Sequence, residues 1–140
     1  MSENSDDAHV YTSPAIRTGD FSIAGRLKSF RFAASGIHFM LKSQHNAWVH
    51  LGITVVVTLV GLLFGLTASD WRWVIAAVAF VWLGETMNTA FEFLCDVVAP
   101  EFHGSVEKAK DIAAGAVLIC AGAAAMIGVL TFWPYFFKAF

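Results

Sequence analysis

Apolar residues along this chain gather into three long runs separated by short polar segments. Residues 47–66 (AWVHLGITVVVTLVGLLFGL) form twenty positions without a formal charge. A second run opens near Trp71, stays apolar through Gly84 and continues to about Val98, and a third covers about 112–133. A bilayer-spanning helix needs roughly 20 apolar residues, so each run qualifies as a span. Ahead of them, 21–43 has a different rhythm: Leu27, Phe30, Ala34, Ile37 and Leu41 recur at spacings of three and four, flanked by Arg26, Lys28, Arg31 and Lys42. This pattern predicts an amphipathic helix lying in the membrane interface, apolar face down and cations on lipid phosphates. The plainer alternative is a soluble helix packed on the spans. The pattern as a whole predicts an all-α membrane protein, with three transmembrane helices (47–66, 71–98 and 112–133) preceded by an interfacial helix (21–43).

The second run is interrupted in a regular way. Glu85, Asn88, Glu92 and Asp96 fall at about 100° per residue within an arc of roughly 80°, a single polar stripe on one helix face. A charged side chain inside a bilayer costs at least a few kcal/mol, so such residues are kept mainly where they have a task. The run also exceeds the length of a span, so its acidic end is expected to reach the headgroups.

Composition and charge then set class and orientation. The chain has 140 residues, 57% of them hydrophobic, and a mean hydropathy of +0.63, which points to one small membrane domain over 21–140. A net charge of −2 supplies no basic field for nucleic acid. Cys95 and Cys120 lie in apolar stretches and suggest neither a disulfide framework nor a metal site. Residues 1–20 are polar and acidic, with no basic segment leading into an apolar core; a disordered tail is expected, and not a signal peptide. Arg17, Arg26, Lys28, Arg31 and Lys42 precede the first span, and Lys108 and Lys110 fall in the 99–110 loop. Only Arg72 and Lys138 lie on the other side, so the N-terminus and the 99–110 loop are expected in the cytoplasm, the compartment that holds ATP.

These parts suit phosphoryl transfer, which asks chiefly for positioning and charge neutralisation. A carboxylate at the membrane surface can act as general base for a lipid hydroxyl. A second one on the same face can hold Mg²⁺, which prefers oxygen ligands and nucleotide phosphates. Lys110, with Asp111 beside it, can neutralise phosphate charge. No Gly-rich phosphate loop is present, so a nucleotide site would be unconventional. Each residue also has a structural reading. A lone intramembrane acid can pair with a cation or backbone group, His50 reads as an interfacial histidine, and Trp48, Trp71, Trp73 and Trp133 read as interface anchors. The small residues of 113–128 predict close helix packing.

Two blocks carry a further signal: GETMNTAFEFLCD at 84–96 and EFHGSVEKAKDIAAGAVLI at 101–119. In sequence and spacing they resemble the bacterial diacylglycerol kinase / undecaprenol kinase family of small integral-membrane lipid kinases. The resemblance extends from about residue 21 onward. It implies a homotrimer of three-span subunits in the bacterial inner membrane, with active sites shared between neighbours at the cytoplasmic face and with ATP, Mg²⁺ and a membrane lipid as partners. Carried over by position, Glu85 would be the catalytic base and Asn88 would help place the reacting groups. Glu92 would bind the metal, Asp96 would line the nucleotide pocket, and Lys110 and Asp111 would contact phosphate.

One block departs from the pattern. Many members read E-x-N-x-R-I-H before the first span, whereas this chain reads Gln44-His45-Asn46-Ala47-Trp48-Val49-His50. Gln44 takes the place of a metal-binding glutamate and Trp48 that of an arginine, while Asn46 and His50 match. A glutamine offers Mg²⁺ a carbonyl oxygen without a charge, so metal affinity or nucleotide preference is expected to differ. The expected activity is phosphorylation of a lipid hydroxyl, with diacylglycerol and undecaprenol as leading acceptors. The alternatives are a cation-binding, transporter-like or purely structural membrane assembly, and a degenerate kinase disabled at Gln44.

Overall fold

A computed structural model of the protein describes residues 22–101 and 103–139; the tail expected at 1–20 lies outside the described residues. Four helices follow in order: α1 (Ile23–Ser43), α2 (His45–Phe64), α3 (Ala68–Val98) and α4 (Gly104–Ala139). Among the described residues there is no strand. Helices α2, α3 and α4 are long and apolar enough to cross a membrane, with mean hydropathies of 2.2, 1.4 and 2.3.

Helix ends are set by local chemistry rather than by hydropathy. Gln44 is a single extended residue (φ −110°, ψ 120°) that closes α1 and opens α2, so the chain turns there without glycine or proline. Helix α2 stops at Gly65, whose φ of 65° is open to glycine without a Cβ penalty. Thr67 and Asp70 then form a capping box: the Thr67 hydroxyl accepts the Asp70 N–H at 3.3 Å, and Asp70 Oδ2 accepts the Thr67 N–H at 3.1 Å. The polar segment 67–70 is therefore mostly the first turn of α3, which begins before Trp71. Helix α4 likewise starts at Gly104 rather than near Ile112, because Glu107, Lys108 and Lys110 are good helix formers whose polarity marks a change of solvent and not a helix end. The connection expected over 99–110 shrinks to 99–103.

Packing is uneven. Helices α3 and α4 lie close because Gly84 carries no side chain: a Cβ there would sit 3.3 Å from Cys120 Sγ and 3.7 Å from Val117 Cα. At the α2–α3 turn, the Tyr135 hydroxyl donates to Asp70 at 2.5 Å, and the Phe64 and Phe136 rings lie 5.2 Å apart. Helix α4 continues through Pro134 to reach these contacts. Between α2 and α4 an apolar cleft of about 500 Å³ remains. Ala121, Ala124, Ala125 and Gly128 of the small-residue run line this cleft, so only part of that run serves close packing.

Helix α1 docks by its last turns. Met40 is buried and accepts a 3.4 Å contact from the Thr86 hydroxyl, and Phe39 meets Phe93 at 5.0 Å. Leu27, Phe30 and Ile37 of the predicted apolar stripe stay exposed. Their face is not what holds α1 to α3.

Candidate active site

The bundle end that carries Gln44 and the 99–103 connection also holds a pocket of about 290 Å³. Its polar lining comes from Asn46 and His50 on α2 and from Glu85, Asn88 and Glu92 on α3. At 1.5 Å per residue, Glu85 stands about 26 Å along α3 from Ala68, near the far edge of a hydrocarbon core about 30 Å thick. Glu92 lies about 10 Å further on.

The two carboxylates have different partners. Glu92 accepts two amides: Gln44 Nε2 donates to Oε2 at 3.0 Å, and Asn88 Nδ2 donates to Oε1 at 2.9 Å. The first bond crosses from the α1–α2 junction to α3, and the extended backbone at Gln44 makes that reach possible. Glu85 is only 1% exposed, yet its Oε2 has no hydrogen-bond partner. The group beside it is His50, with Nε2 at 3.7 Å from Oε2. The Thr89 hydroxyl donates to the Glu85 carbonyl at 2.9 Å, so the backbone there is satisfied while the carboxylate is not. Asn88 Oδ1 is also buried without a partner. Unsatisfied buried acceptors are uncommon and call for a functional explanation.

The structure thus brings Gln44, Glu85, Asn88 and Glu92 together. Asp96, Lys110 and Asp111 stand outside the pocket lining. Lys110 pairs with Asp96 across the α3–α4 junction, one turn beyond Glu92, and Asp111 is exposed. Asn46 and His50 are the pocket residues that sequence reasoning left out of the site. The available signal was their spacing of four, which puts them on one face in the first turns of a mostly apolar helix. His50 does not end at a solvated interface but against Glu85.

Among the described residues no three His, Cys, Asp or Glu side chains gather as a metal cluster. The oxygens at hand are the Glu92 carboxylate and the carboxamide oxygens of Gln44 and Asn88.

Three helices long and apolar enough to span, with a carboxylate and amide pocket among them, are consistent with a polytopic membrane protein. Residues 31–132 match the family described as prokaryotic diacylglycerol kinase. The chain is 32% identical over 107 residues to an undecaprenol kinase of Bacillus subtilis (strain 168), which covers 76% of this chain and 87% of that protein. It is 35% identical over 103 residues to a diacylglycerol kinase of Synechocystis sp. (strain ATCC 27184 / PCC 6803 / Kazusa), covering 73% of this chain and 59% of that protein. The chain belongs to the prokaryotic diacylglycerol kinase family and is a lipid kinase.

Proposed function

We propose that this lipid kinase transfers the γ-phosphoryl group of ATP, with Mg²⁺, to the hydroxyl of a neutral membrane lipid at the cytoplasmic face of the bacterial inner membrane. The observation that carries the reading is Glu85: a carboxylate 1% exposed, with an unpartnered oxygen, in a pocket that adjoins an apolar cleft. A lipid with its chain in the cleft brings its hydroxyl to this carboxylate. The hydroxyl proton passes to Glu85 as the oxygen bonds to the γ-phosphorus, and the bond from that phosphorus to the β,γ-bridging oxygen breaks to release ADP. Asn88 helps to place the reacting groups.

The donor set fits Mg²⁺. Glu92 and the carboxamide oxygen of Gln44 would hold it, and the unpartnered Asn88 Oδ1 adds a third hard oxygen nearby. Gln44 now turns its Nε2 to Glu92, so half a rotation of the carboxamide brings its oxygen to the same place. When bound, the cation neutralises phosphate charge and fixes the phosphate chain. Lys110 leaves Asp96 for phosphate when nucleotide arrives, while Asp96 and Asp111 help organise the nucleotide. The exposed stripe of Leu27, Phe30 and Ile37, with Arg26, Lys28 and Arg31 around it, supports an interfacial role for α1. We read the assembly as the homotrimer with shared sites that the family resemblance implies.

The names of the relatives leave two acceptor chemistries, diacylglycerol and undecaprenol, and both present a primary hydroxyl on a long apolar body. Purified protein with Mg-ATP and a panel holding both lipids tests the reading. Phosphorylated lipid is expected, and Glu85→Gln is expected to lower the rate by about 10² or more while nucleotide binding persists. A loss below about tenfold, some 1.4 kcal/mol of barrier, would move the base to another residue. An inert wild-type protein that still binds ATP would leave the degenerate kinase.

A further inference from the structure

We propose that His50 is the positioning residue of the catalytic carboxylate: its imidazole Nε2–H holds one oxygen of Glu85, so that the other meets the lipid hydroxyl. The inference rests on Glu85 being the base. It starts from how the pocket distributes its donors. Two carboxylates line it, and Gln44 and Asn88 each donate an amide N–H to Glu92, while neither donates to Glu85. The imidazole of His50 stands instead beside Glu85, 3.7 Å from the buried Oε2 that lacks a hydrogen bond. The His50 side chain is 14% exposed and that of Glu85 1%, so water has little access to either. The distance is a few tenths of an ångström beyond a hydrogen bond, and catalytic contacts of this kind tighten when substrate is seated.

A second observation fixes where His50 stands. The Trp82 indole N–H donates to the Thr54 hydroxyl at 3.2 Å, and that hydroxyl donates to the His50 carbonyl at 2.7 Å. Trp82 precedes Glu85 by three residues on α3, so this chain pins the turn of α2 bearing His50 against the turn of α3 bearing Glu85. Third, His50 lines both the polar pocket and the apolar cleft. It stands at the passage through which a hydroxyl on a lipid body reaches Glu85.

The residue type suits the task. An imidazole Nε2–H can donate one hydrogen bond and so orient the carboxylate. A lysine or arginine there would stabilise the carboxylate's charge and make it a weaker base. In the transfer, the proton of the lipid hydroxyl ends on the second oxygen of Glu85, and His50 keeps its own.

The test uses the full-length protein in lipid vesicles, with kcat and KM read separately for Mg-ATP and for the lipid. His50→Leu is expected to lower kcat on the order of 10- to 100-fold, the effect of a misplaced catalytic group, with KM for Mg-ATP within about twofold. His50→Gln keeps an N–H at similar reach and is expected to restore most of that loss. His50→Asn is one methylene shorter and is expected to stay slow, so the Gln and Asn pair decides the matter even where His50→Leu does not fold. In a Glu85→Gln background, His50→Leu is expected to add no further loss, because His50 acts through Glu85. A His50→Leu kcat within threefold of wild type, equal rates for Gln and Asn, or additive losses in the double variant would overturn the proposal and leave the kinase reading intact. Near-normal activity in Glu85→Gln alone would remove the base assignment and this inference with it.

Discussion

Gln44→Glu tests the reading of the metal site most directly, because the structure fixes the sign of the effect. Gln44 Nε2 donates to Glu92 Oε2 at 3.0 Å. Replacing the carboxamide by a carboxylate removes a hydrogen bond to a charged group, worth about 1.5–3 kcal/mol. It also sets a second negative charge beside Glu92, and at about 4 Å with an effective dielectric near 20 the repulsion is about 4 kcal/mol. Both residues are partly exposed, and screening brings the combined cost in the metal-free protein down to roughly 3 kcal/mol. A divalent cation between the carboxylates reverses the sign. The variant is therefore expected to melt several degrees below wild type in EDTA and to recover in millimolar Mg²⁺, as binding to the folded state requires. At saturating ATP, its half-maximal Mg²⁺ concentration should fall by at least about tenfold, or 1.4 kcal/mol. Thermal melts in detergent and a Mg²⁺ titration of activity read both effects. Equal melting in Mg²⁺ and EDTA, with an unchanged Mg²⁺ requirement, would show that residue 44 does not face the metal.

Two further outcomes check packing and orientation. Gly84→Ala needs only a small shift of Cys120, whose Sγ would lie 3.3 Å from the new Cβ, and should melt within a few degrees of wild type; Gly84→Leu must part α3 from α4, should lose about 1–3 kcal/mol or more, and should lose activity because Glu85 is the next residue. With Cys95 and Cys120 replaced by serine, a cysteine at Ser69 should react in intact cells with a membrane-impermeant reagent and one at Ser105 should not; both positions are exposed, so the reverse pattern would put Glu85–Asp96 away from ATP and defeat the kinase mechanism.

Much of the fold was legible because a membrane simplifies the code. Long apolar runs have few alternatives to helices, and the three runs became α2, α3 and α4. Their ends were not legible from hydropathy. Thr67 and Asp70 start α3 by satisfying its free N–H groups, and the first turns of α4 are charged, so both helices overrun the apolar segments. In the site, Glu85, Asn88 and Glu92 were readable from a helical period within one element. The contacts of His50 with Glu85 and of Gln44 with Glu92 join residues 35 and 48 positions apart, and depend on how α2 and the α1–α2 junction are rotated against α3. No local pattern encodes that rotation. The Asp96–Lys110 pair was hidden for the same reason: Asp96 read as lining a nucleotide pocket and Lys110 as a phosphate contact, until the short 99–103 connection brought α4 back beside α3.

The unequal partners of Glu85 and Glu92 also argue for their division of labour. A carboxylate whose oxygens already accept two amides, as those of Glu92 do, is held in place as a well-oriented oxygen donor. Glu85 has only the His50 imidazole beside its buried Oε2, and on the proposed reading its second oxygen is left for the lipid hydroxyl. Their order along α3 fits the proposed routes of the two reactants. Asp96 and Lys110 stand at the more exposed end, and Glu92 is one turn inward. Glu85 is deepest and shares its pocket with His50, which also faces the apolar cleft. On the proposed reading, the phosphoryl donor descends from water and the acceptor hydroxyl comes laterally from the bilayer. On that reading the two glutamates take different roles through depth and hydrogen-bond partners, since their side chains are the same.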